Sequence, residues 1–130
     1  MNRKARPLVA ALLLLALFGC ASTPSEKNSW AVGEWRFRQT FTGPVERPNV
    51  LTGKLQIEWG KHRYTGRIYF DALKEWERLD EVWISGTSVH FSRVISQEEF
   101  EGHRTETGVK GNWNTSSAKF LAGSWEAERN

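Results

Sequence analysis

The sequence predicts an all-β domain over residues 30–130: a small antiparallel up-and-down β-barrel of about eight strands. Three observations point to it. Apolar and polar residues alternate with period two in one run after another. Short clusters of Gly, Pro, Asn and Ser separate the runs. Glycines also recur inside the runs, where a sheet must bend if it is to close on itself.

Gly33-Glu34-Trp35 opens the first run, in which Trp35, Phe37, Gln39 and Phe41 alternate with Arg36, Arg38 and Thr40. Gly43-Pro44 and Arg47-Pro48-Asn49 mark a longer connection. Leu55, Ile57 and Trp59 then alternate with Lys54, Gln56 and Glu58, and Gly60-Lys61-His62 reads as a tight hairpin. The third run sets Gly66, Ile68 and Phe70 against Arg67 and Tyr69.

Asp71–Asp80 is ambiguous, because Leu73, Trp76 and Leu79 fall at near-helical spacing behind a potential Asp71 cap. A turn at about 72–74 followed by a strand through Val82 and Ile84 is the preferred reading, with a single helical turn as the alternative. Ser85-Gly86-Thr87-Ser88 is a further turn, after which Val89 and Phe91 alternate with His90 and Ser92. Phe100-Glu101-Gly102 and Gly111-Asn112-Trp113 lie near the end. Asn112 to Lys119 reads as a polar loop, and Gly123-Ser124-Trp125 opens the last strand. Each run has one wet face and one apolar face, as expected of a sheet covering a core on one side. The inward set is Trp35, Phe37, Leu55, Ile57, Trp59, Ile68, Phe70, Val82, Ile84, Val89, Phe91, Val109, Trp113 and Trp125.

About 100 residues can build one core and not two. All 7 Trp lie beyond residue 20, and the single cysteine rules out an internal disulfide. Stability must therefore come from buried apolar surface, much of it aromatic.

The first thirty residues read differently. Arg3, Lys4 and Arg6 precede an uncharged apolar run, Leu8 to Phe18, which has the length of a signal-peptide core and is too short to span a bilayer. Leu17-Phe18-Gly19-Cys20 follows. The arrangement resembles the bacterial lipoprotein signal, in which the cysteine of a Leu-x-Gly/Ala-Cys box is lipidated and the chain is cut just before it. Phe18 stands where that box has a small or β-branched residue. The resemblance implies a signal peptide over 1–19, a lipidated Cys20 and a flexible tether through residue 29, small and polar with one proline. It also implies a diacylglyceryl thioether plus an amide-linked acyl chain such as palmitate, together a stable anchor. Ala21 after the cysteine resembles the pattern for outer-membrane delivery, facing the periplasm of a Gram-negative cell. The alternative is an ordinary secretory signal with a cysteine nearby.

Removal of the signal alters the charge. Three of the 18 Lys+Arg precede Cys20, leaving 15 against 15 Asp+Glu, so the remaining chain has no formal net charge. A nucleic-acid partner is not expected, since that needs a basic patch on the folded domain.

The glycine and tryptophan pattern of residues 30–130 resembles the calycin-like small barrels, the structural group of lipocalins and avidin. In lipocalins a Gly-x-Trp near the first strand packs against an arginine from the end of the barrel. The matching pieces here are Trp35 and Arg129, which the resemblance sets as the structural closure between the first and last strands. No biotin-site motif is recognisable.

The residues argue against catalysis and against a cofactor. His62, His90 and His103 form no close zinc motif, so no metal is expected. The serines lie in turns and the tether, without a Gly-x-Ser-x-Gly elbow. Glu98-Glu99 and Asp80-Glu81 are sequence neighbours that point to opposite faces of a strand and read as solvated charge. The candidate ligand-binding side chains are Trp59, Trp76, Trp83 and Trp113, with core filling as the competing role. Expected is a non-enzymatic, membrane-anchored envelope lipoprotein acting as an interaction module. Its partners are the membrane, through lipid on Cys20, and an envelope protein. The alternative is a binder of a small apolar or aromatic ligand in the barrel mouth. A hydrolase using a Glu and a His at that mouth is the weakest reading.

Overall fold

The computed structural model describes residues 29–42, 50–116 and 121–130. The signal, Cys20 and nearly all of the tether fall outside the described residues, as do the 43–49 connection and residues 117–120. Met1–Trp30 and Ala31–Asn130 are separate units.

Among the described residues of the Ala31–Asn130 unit there are nine strands: β1 (Gly33–Phe41), β2 (Val50–Gly60), β3 (Arg63–Phe70), β4 (Glu75–Arg78), β5 (Val82–Ser85), β6 (Ser88–Arg93), β7 (Glu98–Arg104), β8 (Gly108–Thr115) and β9 (Ala122–Arg129). They form one antiparallel sheet in the order β4-β3-β2-β1-β9-β8-β7-β6-β5. First and last strands lie side by side, Trp35 opposite Arg129 and Gln39 opposite Trp125.

The two outer strands of that order, β4 and β5, are consecutive in the chain. Between them Leu79 N–H donates to the Gly66 carbonyl of β3, and Asp80 N–H donates to the Ser92 carbonyl of β6. One bent segment, Glu75–Ser85, therefore bonds to β3 with its first half and to β6 with its second. Taken as a single stave it makes eight, and the curled sheet meets itself along this seam. The near-helical spacing of Leu73, Trp76 and Leu79 does not produce a helix. Asp71–Lys74 is a turn, with Lys74 at φ 57°, and extended chain follows.

Hairpin chemistry explains the β2–β3 connection. Lys61 and His62 both have positive φ in a two-residue loop between Gly60 and Arg63, the geometry whose twist matches the flanking strands. Gly53 marks a point of close approach: a Cβ there would overlap the Tyr69 carbonyl of β3. Asn112–Thr115, read from sequence as loop, is strand. Trp113 pairs with Phe100 and Thr115 with Glu98, and the two asparagines form its wet face. Polar residues on both faces had hidden the alternation.

The concave face is packed. Phe37 lies 6.0 Å from Phe70, 5.9 Å from Phe100 and 5.9 Å from Trp125, and Phe91 stacks on Phe100 at 4.6 Å. Such pairs contribute about 0.5–1.5 kcal/mol each beyond their burial. Every indole in this core has its N–H satisfied: Trp35 donates to the Ala31 carbonyl, Trp113 to Thr40 and Trp125 to Glu101. Trp59 and Ile84 of the expected inward set are only half-buried, and Phe100, Leu79 and Ala127 join the core.

Candidate functional site

Strand directions define two ends. The upper end holds Phe41, Phe70, Arg93 and Thr115; the lower holds Gly33, Gly60, Ser85 and Gly108.

Inside the upper end sits a buried polar cluster. Arg93 lies inward on β6 because it continues the alternation of Val89 and Phe91. Its Nη1 donates to both oxygens of Glu98, at 3.1 and 2.9 Å, and its Nε donates to Glu77 at 2.6 Å. Gln39 Nε2 adds a 2.9 Å bond to Glu98, and the guanidinium lies 4.6 Å from the Phe70 ring centroid. Burial opposes the Arg93 cation and is the largest single influence on it. The hydrogen bonds and charges of Glu77 and Glu98 together outweigh it and hold the pKa above the ordinary arginine value. Gln39 Oε1 is buried and has no partner among the described residues.

Glu98 is therefore not solvated charge. Only Glu99 faces water, because the β6–β7 register sets Glu98 directly opposite Arg93. The sequence signal was available in principle: Arg93 and Glu98 are both in phase with Phe91 and Phe100. Charge alone concealed it.

At the lower end the Arg129 guanidinium carbon lies 3.8 Å from the centroid of the Trp35 ring, and its Nη2 donates to the Val32 carbonyl at 2.9 Å. Gly33, at φ 129°, leaves room for that guanidinium, which a Cβ would strike. The Arg129 pKa is lowered, first by desolvation and then by the charge of Arg104.

The four candidate ligand-binding tryptophans do not converge. Trp113 is in the core, edge-on to Phe41 at 4.8 Å. Trp59 is at the lower mouth against Tyr64. Trp76 and Trp83 lie on the outer face, the latter 66% exposed. Around Trp76 the outer side chains form a ladder: Tyr69 is 5.4 Å away, Arg67 lies 4.3 Å over the indole and Lys54 lies 5.6 Å over Tyr69. Two clefts among the described residues also include outer-face groups. One of about 510 Å³ runs past Arg36, Arg38, Lys54 and Glu128, and one of about 580 Å³ follows the seam past Thr65, Arg78 and Asp80.

The histidines offer two polar contacts. His90 Nδ1 is 3.5 Å from Glu101, and Ser88 Oγ is 3.1 Å from His103 Nδ1. The carboxylate and the hydroxyl engage different rings, so they do not form a nucleophile–base–carboxylate chain. Among the described residues there is no group of three metal-ligating side chains.

The exposed aliphatic residues were not singled out from sequence. Leu73, Val94, Ile95 and Leu121 are all exposed, and all lie on upper-end connections: 71–74, 94–97 and the approach to β9. The lower turns carry Lys61, His62, Gly86, Thr87, Thr105, Glu106 and Thr107 instead. Only the register, which assigns each turn to an end, brings the four together. Comparison with protein-family models, with curated proteins and with solved structures gives no match for this chain.

Proposed function

We propose that the protein is a lipid-anchored, non-enzymatic envelope protein whose barrel works as an interaction module through its outside. One observation carries this: the concave face is occupied by bulky side chains, Trp113, Phe91, Phe100, Leu55 and Ile68 among them, while large apolar residues stand exposed elsewhere. A ligand carrier would need that interior volume free. Exposed apolar side chains gathered in one region mark contact surfaces. Anchoring through Cys20, after removal of residues 1–19, would put the domain on a membrane of the cell envelope, the outer one on the Ala21 pattern.

The test is mass spectrometry of the protein purified from membranes. A diacylglyceryl-modified, acylated Cys20 at the mature N-terminus is expected, with Cys20→Ser accumulating as unprocessed precursor. An unmodified thiol at Cys20 would refute the anchor.

The second reading, a small apolar ligand in a barrel mouth, is favoured by the half-buried Trp59–Tyr64 pair at 4.7 Å. A saturable change in tryptophan emission with such a ligand, abolished by Trp59→Leu, would support it.

A further inference from the structure

We propose that the upper end of the barrel rests in the headgroup region of a phospholipid bilayer, with Leu73, Val94, Ile95 and Leu121 as the inserted tips. The proposal rests on the lipid-anchored reading and names the surface that the anchored domain meets.

Three features point to a bilayer. First, the aliphatic residues protrude from three separate connections at one end, Ile95 being 84% exposed. Separated tips suit a fluid layer that closes around each of them. Secondly, behind the Leu73 tip the side chains follow the order of a membrane interface. Aliphatic tip gives way to Trp76 and Tyr69, and then to the cations Arg67 and Lys54 that lie over those rings. Indoles and phenols sit at the headgroup level, and Lys and Arg reach phosphates there.

Thirdly, charge favours an anionic surface. Residues 67–78 expose three cations, Arg67, Lys74 and Arg78, against the carboxylates Asp71 and Glu75. Their third carboxylate, Glu77, turns inward onto Arg93. Asp71 is already bonded to the Thr52 hydroxyl.

An anchor makes weak insertion sufficient, because the contact becomes intramolecular at high effective concentration. Ten residues from Cys20 to Ser29 reach at most about 33–36 Å. An eight-residue strand spans about 27 Å. The tether is thus long enough for the upper end to meet the bilayer that holds the anchor.

The experiment uses full-length, lipidated protein reconstituted into vesicles of phosphatidylcholine containing phosphatidylglycerol and a lipid-borne quencher. An environment-sensitive fluorophore is placed at Ile95→Cys, at Leu73→Cys or, as a lower-end control, at Glu106→Cys. Quenching at 95 and 73 should exceed that at 106 by about threefold or more. Lys74→Gln with Arg78→Gln should lower the signal at 73, as should omission of the anionic lipid. Folding of each variant is checked by circular dichroism, and the 73 and 95 labels serve as independent reporters. Equal quenching at all three positions, or none at 73 and 95, overturns the proposal, including the case in which those positions become shielded only on adding an envelope protein. A protein that lacks lipid on Cys20 would fail to incorporate at all, which refutes the anchoring instead.

Discussion

The two ends of the barrel are each closed by an arginine, and the two arginines are held in opposite ways. Arg93 at the upper end is gripped by two carboxylates, with only 10% of its side chain exposed. Arg129 at the lower end lies on an indole face and caps a backbone carbonyl. Burial lowers the pKa of both. Carboxylate partners reverse the effect at Arg93, while the like charge of Arg104 adds to it at Arg129. What matters is the partner, since the side chain is the same. Because the folded-state pKa of Arg93 lies above the unfolded value, its contribution is complete below the unfolded pKa and is lost only as pH rises through the folded one, in strongly alkaline solution.

The largest loss should come at the upper end. Arg93→Met would leave the buried Glu98 and the half-buried Glu77 without their cation, and loss of one member of a buried ion pair costs about 3–5 kcal/mol. Chemical denaturation should show a loss of that size. Adding Glu98→Leu and Glu77→Gln should recover much of it, because an apolar replacement of a buried ion cluster is often neutral or stabilising. If the single change costs less than about 1 kcal/mol, the cluster is not buried as described.

At the lower end the loss should divide unequally. Trp35→Ala removes a buried indole and should cost about 3–5 kcal/mol. Arg129→Ala removes a more exposed cation and should cost about 0.5–1 kcal/mol. A double-mutant cycle measures the stack itself: the two changes should fail to add by more than about 0.5 kcal/mol, whereas strict additivity would mean that the stack contributes no coupling. Gly33→Ala should cost on the order of 1–3 kcal/mol through its positive φ and its collision with the guanidinium. Part of that cost should vanish in the Arg129→Ala background.

The smallest effect belongs to the outer face. Trp83→Gln should change stability by less than about 0.5 kcal/mol, as for surface substitutions, because the exposed indole gives up only an edge-on contact with His90. A loss above about 2 kcal/mol would show that the residue is structural.

How far the sequence anticipates this molecule depends on what each residue must satisfy. Alternation in Trp35, Phe37 and Gln39 marks β1 because a half-buried strand imposes it, and it places even Gln39 on the inner face. The same parity puts Arg93 and Glu98 inside, but an isolated carboxylate next to Glu99 reads as wet until the hairpin register supplies its partner. Aromatic content does not declare a face: Trp113 lies within and Trp83 without, although both sit in β-period runs. The upper-end aliphatic residues are farther from reach. Leu73, Ile95 and Leu121 are far apart in sequence, and only the closing of the sheet makes them neighbours of one surface.

An outward-facing function requires an interior that is full from one mouth to the other. Xenon enters apolar cavities and stays out of packed cores. A crystal of the domain under xenon pressure should show no site among Phe37, Phe91, Phe100 and Trp125 in the native protein, and one there in Phe91→Ala. Xenon bound among those four rings in the native protein would mean a ligand cavity, and would contradict an outward-facing function.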